Sequence, residues 1–240
     1  MLRWLVCFVA LSSAAGLWAS DKPSNANLPV PPPKGAAVLF DGGNLNNWLV
    51  VNGKPAYWKI IDGAMEVDKD CKGHVDCDHV SKRRFGTGHL HVEFWLPLMA
   101  ENTGQGRANS GVYIQGRYEL QVLDSYQAKM EMGMGGSIYS VAVPRVNAAL
   151  PAEQWQSYDI YFREPRFSGG KIVAKPRITV FWNGVNIHND LELSVPATPG
   201  GIASGYARTG PVLLQAHDCA VRYRNIWFAP GISDTSTLPK

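Results

Sequence analysis

An excess of charge of either sign is missing from this chain: 23 Lys and Arg stand against 20 Asp and Glu, a formal net charge of +3. A balance so close to neutral gives no reason to expect nucleic acid or an anionic membrane as partner. Cysteine is scarce as well, with four in 240 residues, which excludes a fold held mainly by disulfides. Beyond the first twenty residues no apolar run is long enough to cross a bilayer. No segment of helical length sustains a 3.6-residue apolar period. What remains is aromatic-rich sequence punctuated by glycine and proline, with alternating apolar and polar positions.

The ends of the chain read differently from its middle. Residues 1–20 have the layout of a secretory leader: Arg3 near the start, the apolar stretch Trp4 to Ala10, then small residues before Asp21. Cys7 lies inside that stretch rather than after a cleavage box, which argues against a lipid anchor. The expectation is a secreted or periplasmic protein without stable membrane insertion. Residues 21–34 are polar and proline-rich, ending in Pro29-Val30-Pro31-Pro32-Pro33, a composition that predicts an extended linker. Residues 35–230 suit one domain, and residues 231–240 form a tail. Of the cysteines left after the leader, Cys71 and Cys77 bracket a short loop and are candidates for a disulfide, leaving Cys219 over. A zinc reading with His74, Asp76, Asp78 and His79 lacks a second ligand pair at finger-like spacing.

Strand signals dominate residues 35–230. Ala56–Ile61 and Ala64–Val67 flank Asp62-Gly63, and Arg177–Trp182 and Val185–Asn189 flank Asn183-Gly184. Both pairs predict hairpins, because these dipeptides supply the positive φ of tight turns. Further strands are predicted at 88–96, 111–115, 118–123, 155–163, 212–216 and 221–228. The fold class is therefore all-β, an antiparallel β-sandwich.

Period two assigns faces. In 88–96, His89, His91, Glu93 and Trp95 oppose Leu90, Val92, Phe94 and Leu96; in 155–163, Ser157, Asp159, Tyr161 and Arg163 oppose Gln156, Tyr158, Ile160 and Phe162. Glu119 and Gln121 share a face while Leu120 and Val122 point the other way, and Leu213, Gln215 and His217 oppose Val212, Leu214 and Ala216. Several strands thus offer polar and aromatic groups to a sheet face, as a carbohydrate groove requires.

The run Gly104-Gln105-Gly106-Arg107-Ala108-Asn109-Ser110-Gly111-Val112-Tyr113, followed by Gly116-Arg117-Tyr118-Glu119-Leu120-Gln121-Val122-Leu123-Asp124-Ser125, resembles the 3-keto-disaccharide hydrolase domain. The likeness begins at Leu39-Phe40-Asp41-Gly42 and Trp48, runs through Leu90-His91-Val92-Glu93-Phe94 and Trp155-Gln156-Ser157-Tyr158-Asp159-Ile160, and closes with Gly210-Pro211-Val212-Leu213-Leu214-Gln215-Ala216-His217 and Val221–Trp227. It implies a jelly roll of the concanavalin-like lectin and glucanase type, whose concave face holds the sugar. It also implies cleavage of glycosides oxidised to a ketone at carbon 3, by hydrolysis or by elimination and hydration. The alternative is a carbohydrate-binding module without catalysis. A conventional endoglycanase is disfavoured, because no strand carries carboxylates at alternate positions in a Glu-x-Asp-x-x-Glu pattern. The turn Asp218-Cys219-Ala220 departs from the Gly-Asn-Pro-like turn of relatives, and the methionine-rich segment 130–136 replaces a region that in relatives often holds a cysteine before Gly-Ile-Tyr; a mobile surface loop is expected for it.

A carbonyl at carbon 3 acidifies the hydrogen at carbon 2, so the chemistry needs a base there and an acid at the leaving oxygen. Glu119 is the candidate base and His217 the candidate proton-transfer partner. The competing reading pairs Glu119 with Arg117 or Arg107 as a structural ion pair, and His217 as a structural histidine. Asn109, Arg117, Gln121 and Gln215 are candidates for orienting substrate, and Tyr113 and Trp95 for platforms under a sugar ring, with core packing as their other reading. His91 and Glu93 form a second acid/base pair on a neighbouring strand. The sequence requires no cofactor and no spacing identifies a metal; a divalent cation such as Ca2+ held by distant loops stays open.

Overall fold

The computed structural model describes residues 22–231. The expected leader and nearly all of the expected tail lie outside them. In chain order the strands are β1 (Ala37–Phe40), β2 (Trp48–Val50), β3 (Lys59–Ile61), β4 (Ala64–Glu66), β5 (His79–Phe85), β6 (Gly88–Trp95), β7 (Ser110–Ile114), β8 (Tyr118–Val122), β9 (Trp155–Arg163), β10 (Arg166–Ser168), β11 (Lys171–Ala174), β12 (Arg177–Trp182), β13 (Val185–Glu192), β14 (Gly210–Leu214) and β15 (Arg222–Pro230). A one-turn helix, α1 (His74–Cys77), precedes β5.

Two antiparallel sheets form a sandwich of jelly-roll type. The larger runs β13-β12-β9-β6-β15-β4-β3, with β1 pairing the C-terminal half of β15; the smaller runs β2-β5-β14-β7-β8. Their apolar faces meet as period two requires. Leu90, Val92 and Phe94 of β6 and Tyr158, Ile160 and Phe162 of β9 share one cluster with Val112 of β7, Leu120 and Val122 of β8, and Val212 and Leu214 of β14. Each large apolar side chain so buried contributes about 1.5–3 kcal/mol.

Both hairpins form where Asp-Gly and Asn-Gly predict them: Asp62 and Asn183 have φ of 51° and 52°, and each is followed by a glycine at positive φ. Five strands escape the sequence reading: β1, β2, β5, β10 and β11. The most consequential is β5, which joins β2 to β14 inside the smaller sheet. Its centre is the exposed run Lys82-Arg83-Arg84, so its apolar alternation is lost. A register shift between Pro211 and Leu213 lets Ser81 Oγ accept from the Val212 N–H instead of a regular ladder bond.

The proline-rich segment does not serve as a free tether. Ser24 N–H donates to the Asn183 carbonyl and Asn25 to that of Trp155. Val30 donates its N–H to Glu93 Oε1 and accepts from Asn225 Nδ2 and Trp227 Nε1. A segment without regular structure is thus laid on the outer face of the larger sheet, because buried polar groups there need its peptide bonds as partners.

The methionine-rich segment keeps Glu131 and Met132 at the surface, and its end joins the edge of β8. Gly136 N–H donates to the Gln121 carbonyl, Gln121 N–H to that of Ser137, and Tyr139 N–H to that of Glu119. These bonds cover the open edge of β8.

Candidate active site

Glu119 and His217 line the same hollow, about 250 Å3, on the outer face of the smaller sheet. β8 supplies Glu119 and Gln121, β7 supplies Tyr113, and Gln215 and His217 follow directly after β14. Three further walls come from outside the sheet: Gln105 and Asn109 before β7, Tyr139 on the segment along the β8 edge, and Pro199-Gly200 on the loop before β14. Thr198 fixes that last loop, its hydroxyl accepting from the Glu119 N–H at 3.0 Å and donating to the Arg117 carbonyl at 2.9 Å.

The walls are hydrogen-bonded into a frame of neutral amides. Gln121 Nε2 donates to Asn109 Oδ1 at 3.0 Å and to Gln105 Oε1 at 3.2 Å, and Asn109 Nδ2 donates to the Gln105 carbonyl at 3.0 Å. On the other side Gln215 Nε2 donates to the Tyr113 hydroxyl at 3.2 Å, and Tyr113 in turn bonds Glu119.

No cation pairs with Glu119 among the described residues. Arg107 bonds Asp124 at 2.5 Å, while Arg117 donates to the carbonyls of Gly205 and Gln115. The structural ion-pair reading of Glu119 therefore fails, and so does the substrate-orienting role of Arg117, which is buried in the β7–β8 turn. Burial, with the nearby charge of Asp78, raises the Glu119 carboxyl to about 7, although the Tyr113 hydrogen bond works against that rise. Among the described residues it is the only carboxylate lining the hollow.

Glycine makes room for this arrangement at two points. A Cβ on Gly111 would lie 2.7 Å from Glu119 Oε1, and one on Gly200, where φ is +76°, would lie 2.5 Å from the Tyr113 hydroxyl. Gly111→Ala should displace the Glu119 carboxyl and cost about 1–3 kcal/mol of stability, with a larger loss in turnover than in thermal stability when both are measured. An active variant with an unmoved pH profile would show that the carboxyl has no fixed place to keep.

His91, Glu93 and Trp95 do not reach the hollow. They lie on the larger sheet, where the Val30 peptide of the N-terminal segment caps Glu93. His91 Nδ1 and His89 Nε2 both bond Asp159 Oδ1, at 2.8 and 2.9 Å, and Glu93 takes Arg224 Nε and Asn225 Nδ2 at 2.7 Å each. His91 and Glu93 are wholly buried, and Trp227 stacks on the His91 ring at 4.9 Å. Trp95 lies under the Arg222 guanidinium, 5.0 Å away. This second acid/base pair is a closed ionic network. Period two placed these residues on a polar face but not on the sheet that holds Glu119.

Cys71 and Cys77 form a disulfide and Cys219 is free and buried. Three other residues of the zinc reading are engaged elsewhere: Asp76 accepts from Asn52 Nδ2, Asp78 accepts from the Ala216 N–H and His79 stacks on Trp58 at 4.0 Å. Among the described residues no group of three or more His, Cys, Asp or Glu is placed to hold a metal ion.

Sequence reasoning missed Gln105, Tyr139, Pro199 and Gly200 as walls. Gln105 sits inside the best-matched motif, where its short distance from Asn109 was a usable signal. Tyr139 and the 199–200 loop carry none, because long-range hydrogen bonds bring them in.

No curated protein matches the chain significantly. A crystal structure from Parabacteroides distasonis ATCC 8503, provisionally named a glycosyl hydrolase, is 33% identical over 84% of this chain and 92% of its own, with a TM-score of 0.74. Two further proteins of that organism, provisionally named in the same way, share 17% and 18% identity over 81% of this chain and 93% and 98% of theirs. Their TM-scores are 0.60 and 0.54, a likeness of fold alone. The sequence profile of the 3-keto-alpha-glucoside-1,2-lyase-like domain matches residues 35–229. The chain belongs to that family, a carbohydrate-active group.

Proposed function

We propose that this protein is an exported enzyme that cleaves 3-keto-glycosides, including 3-keto-disaccharides, with Glu119 as base and His217 as acid. Glu119 takes the proton from carbon 2. The electron pair of that bond is taken up as a carbon 2–carbon 3 enolate with charge on the carbon 3 oxygen, and it then forms the carbon 1–carbon 2 double bond as the ketone is restored and the carbon 1–oxygen bond breaks. The aglycone oxygen keeps that second pair and receives a proton from His217. Water then adds hydroxyl to carbon 1 and hydrogen to carbon 2, so the sum is hydrolysis. Gln215 Nε2, with one N–H left after its bond to the Tyr113 hydroxyl, offers a donor to the ring oxygens, including the enolate oxygen that develops at carbon 3.

The observation that carries this reading is a single carboxyl, paired with no cation among the described residues and raised to about 7, in a hollow they otherwise wall mainly with neutral amides, phenols and one imidazole. A base of that strength suits a carbon acid activated by a ketone. A two-carboxylate glycosidase mechanism would need a second acidic wall across the glycosidic bond. The leader at residues 1–20 and the Cys71–Cys77 disulfide support an oxidising, extracytoplasmic location.

Turnover of a 3-keto-glucoside in heavy water is expected to place deuterium at carbon 2 of the released sugar, read by mass spectrometry, while the unoxidised glucoside stays intact. Cleavage without deuterium at carbon 2 would replace elimination with direct hydrolysis. Binding without any cleavage would leave a lectin-like module.

A further inference from the structure

A glycoside's leaving group departs on the side of the acid that protonates it. His217 stands at the lip of the Glu119 hollow, and it also walls a second hollow of about 190 Å3 lined by Cys71, Lys72, Gly73, Ala216 and Asp218. The two spaces share that residue as a common wall. A leaving group protonated by His217 has that second space on the far side of its acid.

We infer that the second hollow is the subsite for a hydroxyl-rich leaving group, namely a second sugar; this rests on the reaction proposed above. Its walls come from two loops outside the sheets. One is the loop closed by the Cys71–Cys77 disulfide and held further by Asn52 Nδ2, which donates to Asp76 Oδ1 at 2.7 Å. The other is the turn after β14, whose Ala216 N–H is fixed at 2.8 Å on the buried Asp78 carboxylate. Lys72 Nζ meets Asp218 Oδ1 at 2.5 Å and ties the two loops together.

That ion pair is exposed, at 74% and 63% of its side chains, so stabilising the fold is a poor reason for its place. A sugar hydroxyl both donates and accepts. An ammonium and a carboxylate held side by side offer an acceptor and donors to neighbouring hydroxyls of one ring.

The test compares kcat/KM on a 3-keto-disaccharide of two glucoses with that on methyl 3-keto-glucoside of the same anomer, using the full chain and its K72A and D218A variants. Each substitution should lower the disaccharide value about tenfold more than the methyl glycoside value, the size of one charge-assisted hydrogen bond. Inhibition by free glucose, the expected leaving group, should weaken in parallel. Equal effects on both substrates, with glucose inhibition unchanged, would overturn the subsite while leaving the reaction standing. A parent chain that turns over neither substrate would overturn the reaction and the subsite together.

Discussion

Glu119→Gln is expected to lower kcat on a 3-keto-glycoside by about a hundred- to ten-thousand-fold, the range for loss of a positioned general base. Glutamine keeps the size of the side chain and a partner for the Tyr113 hydroxyl, so the hollow and its ligand affinity should survive. In the parent chain the acid limb of the pH–rate profile should follow the Glu119 carboxyl: activity falls as pH drops below about 7, because the protonated acid cannot accept the carbon 2 proton. In the variant that limb should vanish from the residual rate.

Stability should move the opposite way, and this separates catalysis from damage to the fold. The folded chain binds the Glu119 proton more tightly than the unfolded chain does, since its carboxyl rises from 4.5 to about 7. Ionising it therefore costs stability progressively as pH rises from 4.5 through 7. Above that range Glu119→Gln should melt no lower than the parent. A variant that retains full turnover, or one that loses activity only because it unfolds, would remove Glu119 from the role of base.

The second large effect is expected far from the hollow. Asp159→Asn should destabilise the fold by about 3–5 kcal/mol, the usual cost of removing one partner from a buried ionic network. Asp159 is buried and its Oδ1 bonds both His89 and His91, which are packed against Trp227, with Tyr161 stacked on His89 at 4.1 Å. Burial opposes charge at both partners, but the His91–Asp159 pair prevails: His91 is raised to about 9 and Asp159 is held far below the usual carboxylate range. For His91 the stabilisation is complete below pH 6.5 and is lost as pH climbs through about 9. For Asp159 it is present above 3.8 and is lost as pH falls below that value. Urea titrations across pH should show both flanks in the parent and neither at full size in the variant. A change under 1 kcal/mol would mean that the network relaxes around a neutral residue and that its charges are dispensable.

These two predictions fall on faces that look alike in sequence. Glu119-x-Gln121 and His89-x-His91-x-Glu93 are both polar rows opposite apolar ones, and period two correctly assigns each row away from the core. It does not say what covers the row. On the smaller sheet the cover is incomplete, with Tyr139 and Pro199-Gly200 standing as walls around open space. On the larger sheet Val30 closes over Glu93 through its peptide, with Asn225 and Trp227 bonded to the same residue. Proline-rich composition predicts an extended chain, and the chain is extended, but composition carries no information on where it docks.

The sequence alone settled the all-β class, both Gly-containing hairpins, the apolar faces and the family, because these follow from local periodicity, turn chemistry and matching residues in order. It also placed Glu119, Gln121, Gln215 and His217 on faces able to meet. Only the tertiary structure decided that they share a hollow while His91 and Glu93 are sealed elsewhere, and that neither Arg107 nor Arg117 neutralises Glu119. Those outcomes depend on contacts between residues far apart in the chain, and on the desolvation and charge such contacts create, which no local pattern encodes.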